Sequence, residues 1–175
     1  MSVHAHGIEV VRIVSGGQTG ADQGALAAAH ELGLATGGAM PRGFMTEAGP
    51  RPDFAALYGL HALAEADPLG RTEANVRTSD ATLIVGDADL GGSRATQEFC
   101  VRFGKPVYLI PWRPGESAPL SSLPDIRRWL AVNAIRTLNV AGNRESEAPG
   151  IFAATREVLL AVLKAREAPT SVLPP

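Results

Sequence analysis

Two stretches of this chain place paired glycines where a strand hands over to a helix. The first is SGGQTGAD, residues 15–22, which follows the β-branched run Ile8–Val14. Gly16, Gly17 and Gly20 permit positive φ and close approach to the backbone, and the helix start beyond them offers unpaired N–H groups to an anion. Gln18 and Thr19 lie between them. The pattern is neither the dinucleotide fingerprint G-x-G-x-x-G nor a P-loop, since no Gly-Lys-Ser/Thr follows. Taken alone, a tight turn accounts for it as well as a phosphate cradle does. The second stretch is GDADLGGSRATQEF, residues 86–99. Gly91 and Gly92 again follow a strand, Ser93 is a candidate N-cap, and Arg94 adds positive charge near the helix start. Glu98 falls on the second turn, either solvated or facing a ligand. Two such turns in one chain favour an anionic, phosphate-bearing ligand.

Two further stretches carry polar groups. In GRTEANVRTSD, residues 70–80, Arg71 and Arg77 stand nearly two helical turns apart. They could share a ligand or be solvated, and for Arg77 a solvated or structural role is favoured. Asn75, one turn from Arg71, could bond a ligand or hold a loop. In LNVAGNRESEAPGI, residues 138–151, Asn139, Asn143, Arg144, Glu145 and Ser146 crowd a segment after a strand, where turn chemistry and site chemistry are equally served. The histidines are poor candidates: His4 and His6 lie near the N-terminus, His30 on a helix, His61 in a segment of uncertain structure. No Cys/His spacing resembles a zinc site, so no metal ligand is assigned. Cys100 reads as a packed helix residue, and Trp112 and Trp129 as core or interface.

The elements that must position these residues alternate. Strands are expected over Ile8–Val14, Thr36–Met40, Ala81–Val85, Pro106–Ile110 and Ala134–Val140. Helices are expected over Ala21–Leu32, capped by Gly33, over Ser93–Phe103 with Ala95, Phe99 and Phe103 as its apolar stripe, and over Ser121–Leu130. A last helix carries the stripe Ile151, Thr155, Val158, Leu159, Val162 and Leu163. Residues 41–70, interrupted by Pro41, Pro50, Pro52 and Pro68, read mostly as loop. This alternation implies an α/β domain of three layers around a mostly parallel sheet, with ligands at the carboxyl ends of the strands. The uninterrupted runs Ala81–Val85 and Pro106–Ile110 suit strands buried on both faces.

At 175 residues the chain fits one domain: a flexible N-terminus over 1–7, a ligand-binding domain over 8–166 and a flexible C-terminal tail over 167–175. A net charge of −2 gives no global argument for nucleic acid or a membrane surface. A lone cysteine and an opening without the basic-then-apolar signal pattern lead to the expectation of a cytoplasmic protein.

The blocks IVSGGQTGADQGAL, GGAMPRGFMTEAGP, RTEANVRTSDATLIV, GGSRATQEF, GKPVYLI and LNVAGNRESEAPGI together resemble the molybdenum carrier protein family, over about residues 12–165. The resemblance implies a Rossmann-like fold of the wider Lonely Guy and lysine-decarboxylase-like superfamily, and a homo-oligomer, dimer or tetramer. It also implies a carrier of molybdenum cofactor or molybdate, or of a nucleotide. Within the superfamily, the phosphoribohydrolases use an Arg and a Glu beside Pro-Gly-Gly-x-Gly-Thr-x-x-Glu. Here LGGSRATQE matches that pattern at Gly91, Gly92 and Glu98, but Leu90, Arg94 and Ala95 replace the Pro, third Gly and Thr. Two readings result. In a carrier, Gly16, Gly17, Gln18, Thr19, Gly20, Gly91, Gly92 and Ser93 hold the ligand, Arg71 and Arg94 neutralise it, and Asn75, Asn143 and Arg144 complete the site. In a nucleoside 5′-monophosphate hydrolase, Arg71 and Glu98 are catalytic.

Overall fold

The computed structural model describes residues 8–164. The expected terminal segments 1–7, with His4 and His6, and 167–175 lie outside the described residues. In chain order the elements are β1 (Arg12–Val14), α1 (Ala21–Glu31), β2 (Ala35–Met40), β3 (Met45–Thr46), β4 (Gly49–Pro50), α2 (Phe54–Tyr58), β5 (Leu60–Ala62), α3 (Pro68–Arg77), β6 (Ala81–Val85), α4 (Gly91–Arg102), β7 (Val107–Ile110), α5 (Leu123–Val132), β8 (Thr137–Gly142) and α6 (Ile151–Leu163). Six strands form one sheet in the order β5-β2-β1-β8-β6-β7. Every pairing in it is parallel. β3 and β4 form a separate antiparallel hairpin.

β8 is the last of the described strands, yet it lies in the middle of the sheet. It pairs with β1 on one side (Arg12 opposite Thr137) and with β6 on the other (Val85 opposite Gly142). The chain runs outward from β1 to β2 and β5, crosses to β6 and β7, then returns to fill the gap.

The two faces of the sheet differ in chemistry. One meets α1, α5 and α6 through Ile13, Leu83, Val85, Leu138 and Val140, and its cluster contains Ile126, Leu130, Val158 and Leu159. The other meets α3 and α4 and mixes apolar Val14, Val76 and Ile84 with small or polar groups: Asn75, Thr82, Ser93, Thr96, Cys100 and Asn139 are all buried. Buried polar groups need partners. Asn139 Nδ2 donates to Thr82 Oγ1 at 3.1 Å. The Asn75 amide imitates a peptide group towards β2, accepting from the Ala39 N–H at 2.7 Å and donating to the Ala39 carbonyl at 3.1 Å. α3 is thereby tied to the sheet by a side chain. Its own start is set by Asp67, whose carboxylate accepts from the N–H groups of Leu69 and Gly70, with Pro68 in the first turn.

Several expected elements differ. β1 is shorter than Ile8–Val14, and Val11 is exposed. β7 is an edge strand with Leu109 exposed, so its apolar run is not buried on both faces. β8 begins at Thr137, because Asn133 and Ala134 complete the turn out of α5 and Ala134 has φ 49°. Residues 41–70 are not mostly loop: they hold the hairpin, α2, β5 and the start of α3. Leu90, not Ser93, occupies the N-cap of α4. α4 buries Ser93, Thr96 and Cys100 rather than the stripe Ala95, Phe99 and Phe103, because the layer it meets is the mixed one.

Candidate functional site

A cavity of about 210 Å³ opens at the carboxyl ends of the central strands. Its walls come from four stretches: Gly16, Gln18 and Asp22 after β1; Arg71, Thr72 and Asn75 from α3; Gly91, Gly92, Ala95 and Thr96 from α4; and Asn139, Ala141, Gly142, Arg144 and Glu147 from β8 and its loop. β1 and β6 feed helices on opposite faces of the sheet, and β8 lies between them. This is the crevice where doubly wound sheets admit ligands.

Gly16 is needed because Arg71 lies directly on it. Arg71 Nη1 donates to the Gly16 carbonyl at 2.9 Å, and a Cβ at Gly16 would stand 2.1 Å from that nitrogen. Arg71 also pairs with Asp22 at 3.3 Å, and its Nε is buried with no partner. Burial pushes the Asp22 carboxyl above its ordinary value, against the opposing pull of the Arg71 charge and the Gln18 N–H. That N–H donates to Asp22 Oδ2 at 3.2 Å.

Gly20 carries φ 81°, and a Cβ there would lie 2.5 Å from the Asn143 carbonyl. It therefore serves the approach of two loops rather than of a ligand. The position of Gly17 is similar in consequence: it packs against Met40 and Leu60. Asn143 is a clamp, accepting from the Asp87 N–H at 2.6 Å and donating to the Asp87 carbonyl at 3.2 Å. The segment it holds leads to Gly91. Thr19 donates its hydroxyl to Glu47.

Gly91 and Gly92 open α4 on the cavity, and no side chain caps that helix. Ser93 lies in the same first turn but is buried, its hydroxyl without a partner. Arg94 and Glu98 are not in the cavity wall. They pair with each other at 3.3 Å, one helical turn apart, with side chains 72% and 68% exposed. The rotation of α4 that buries Ser93, Thr96 and Cys100 turns both outward. Arg144 reaches the wall and, among the described residues, pairs with no carboxylate within 4 Å. Its N–H donates to Glu147 Oε2 at 3.2 Å.

Of the residues singled out in the sequence, Gly16, Gln18, Arg71, Asn75, Gly91, Gly92 and Arg144 line the one cavity. Gly17, Thr19, Gly20, Ser93, Arg94, Glu98 and Asn143 do not. Asp22, Thr96, Glu147 and Glu47 were not singled out. Asp22 lay within the glycine stretch and carried a signal, an acid in the first turn of α1; Glu47 carried none. His30 packs edge-on against Tyr58, and Trp112 is buried in the main core. Cys100 is buried, and burial pushes its thiol up, which suits a packed residue. Among the described residues no cluster of His, Cys, Asp and Glu could hold a metal ion, and no helix is long and apolar enough to cross a membrane.

The cavity wall thus combines two cations, two carboxylates, an uncapped helix start and amide groups. Such a set has the chemistry to orient a small polar ligand.

No curated protein matches the chain. A solved structure does: a crystal structure of a "Putative molybdenum carrier protein" from Syntrophus aciditrophicus SB is similar at a TM-score of 0.81 and 36% identity, over 91% of this chain and 98% of that one. The sequence model of the circularly permutated YpsA SLOG family matches residues 13–163. By this match the chain belongs to the circularly permutated YpsA SLOG family.

Proposed function

We propose that this protein is a binding or carrier protein for a small anionic ligand, the phosphate of a cofactor such as molybdenum cofactor or a molybdenum oxyanion, seated at the cavity between β1, β8 and the start of α4. The observation that carries this reading is the cavity wall, where the Arg71 and Arg144 side chains meet an α4 start that no side chain caps. Gly91 and Gly92 offer helix-start N–H groups, and Arg144 adds charge from the opposite loop. The wall contains no thiolate or imidazole, so a molybdenum centre would be held as an oxyanion by N–H and guanidinium groups. At about 210 Å³ the cavity is smaller than the usual range of about 300–1,000 Å³ for ligand sites, which suits the anionic end of a ligand whose remainder extends past the rim. The likeness to the "Putative molybdenum carrier protein" from Syntrophus aciditrophicus SB supports the choice of ligand.

A hydrolytic reading, release of a base from a nucleoside 5′-monophosphate, has one observation in its favour: carboxylates do face the cavity. They are Asp22 and Glu147, not Glu98. The same ligand set separates the readings. Thermal stabilisation by molybdate or molybdenum cofactor, with no free base formed from nucleoside monophosphates, supports the carrier. Base release supports the hydrolase, and its loss in Asp22→Asn with retention in Glu98→Gln would identify the carboxylate. A ligand bound only to the native state at a hundredfold its Kd adds about 2.7 kcal/mol of apparent stability, well within reach of a melting experiment. A homo-oligomer belongs to the same reading, with Leu90 exposed beside the site and Val101 exposed near the far end of α4; light scattering after size exclusion tests it.

A further inference from the structure

We propose that Thr19, Ser146 and Arg144 form an oxyanion seat at the cavity mouth, that the Glu47 carboxylate fills it in the unliganded protein, and that a phosphate or molybdate group displaces it. Glu47 sits at the tip of the β3–β4 hairpin. Its carboxylate accepts from the Thr19 hydroxyl, from the Ser146 hydroxyl at 2.5 Å and from the Ser146 N–H at 3.3 Å. Burial pushes this carboxyl up, but the bonds from Ser146 and Thr19, with the nearby Arg144 charge, together hold it below its ordinary value.

The bonds this carboxylate accepts come from two hydroxyls and one N–H, while Arg144 adds its charge from beyond 4 Å. Two hydroxyls and one N–H are donors that a tetrahedral oxyanion also uses, and a nearby guanidinium charge favours it. They belong to the loops after β1 and β8, which are brought together by strand pairing and by the close approach at Gly20, not by the hairpin. The seat therefore exists whether or not Glu47 fills it. The filling is weakly held, because an exposed carboxylate is screened by water and salt.

The hairpin tip is also wired to the cavity. The Glu47 N–H donates to Gln18 Oε1 at 2.9 Å, and Gln18 lines the cavity wall. Among the described residues, the remaining side-chain bonds of the tip stay within it, from Thr46 Oγ1 to the Gly49 carbonyl and from the Ala48 N–H to Thr46 Oγ1. Glu47 is thus the fastening of the tip, through its side chain and its backbone. A ligand anion that takes Thr19 and Ser146, or draws Gln18 towards itself, releases the strap.

This inference rests on the anion-binding reading above. The test is calorimetric titration of wild type, Glu47→Gln and Glu47→Ala with inorganic phosphate and with molybdate, alongside hydrogen exchange across residues 45–50. Both variants are expected to bind about tenfold more tightly, the gain on removing a competing state that holds about nine-tenths of the population. In wild type, the Glu47 and Ala48 amides should exchange faster when the anion is added. Equal affinity in wild type and variants, or tip exchange that ignores the anion, overturns the strap while the anion-binding reading stands. If neither wild type nor variants bind phosphate or molybdate, both fall. Melting curves of the two variants confirm that each is folded.

Discussion

The Asp22 carboxylate meets the Arg71 guanidinium at 3.3 Å on the cavity wall, their side chains 9% and 14% exposed. Burial dominates the carboxyl and pushes it up. A carboxyl held above its unfolded value binds its proton more tightly in the native state, so stability falls as pH rises from the unfolded value of about 3.9 towards the native one. Asp22→Asn is expected to abolish that fall, read as a flatter dependence of the urea midpoint on pH. Arg71→Leu leaves the carboxyl buried without its partner. It should cost about 2–3 kcal/mol at pH 7, somewhat less than for a fully enclosed pair.

Gly16→Ala should act on Arg71 rather than on the backbone. The new methyl would meet Nη1 at 2.1 Å, and the guanidinium is the part that can move. A modest stability loss of about 1–2 kcal/mol is expected, as for small-to-large changes in packed sites. The larger effect falls on molybdate or phosphate affinity, because Arg71 leaves its place on the wall. Affinity that survives while stability drops would remove Arg71 from the binding set.

Asn143→Ala should loosen the approach to α4. It deletes both bonds to Asp87 and leaves a backbone N–H and carbonyl without those partners. The expected cost is about 1–3 kcal/mol in chemical denaturation. Hydrogen exchange should rise at Asp87 and at the following residues up to Gly91, with the rest of the sheet unchanged.

Glu98→Gln and Arg94→Ala should do very little. Both side chains are mostly exposed and contact each other. Changes within about 0.5 kcal/mol are expected, as for ordinary surface substitutions. Neither should alter ligand binding. A tenfold loss of affinity or of turnover in Glu98→Gln would place that carboxylate on the ligand.

What was legible in the sequence follows from how locally each feature is determined. Ala81–Val85 reads correctly because a strand buried on both faces is mostly apolar, with Thr82 its one hydroxyl. The end of α1 reads correctly because Gly33 can adopt φ 68°. β5 was invisible. It spans three residues at a sheet edge and exists through its register with Gly38–Met40 rather than through its own pattern. The site shows the same division. The glycine stretches are legible as stretches, but glycine permits loop-on-loop packing as readily as ligand approach, so Gly16 and Gly20 could not be told apart. Arg94 and Glu98 were singled out by their place in LGGSRATQE, a pattern that does not say which face of α4 they take. Glu47 could not be found at all, since its partners lie 28 and 99 positions away.

The place of β8 has a consequence for synthesis. The ribosome releases β1 and β6 well before Thr137–Gly142, the strand that joins them. Until that strand arrives, two half-sheets each present an unpaired edge, a hazard for aggregation. The cavity walls from Gly16 and from Gly91 meanwhile have no shared floor, because Asn139, Ala141 and Gly142 supply it. A nascent chain arrested before Thr137 would therefore be sticky and ligand-blind together. On the anion-binding reading, ligand competence would mark a chain translated through its keystone strand.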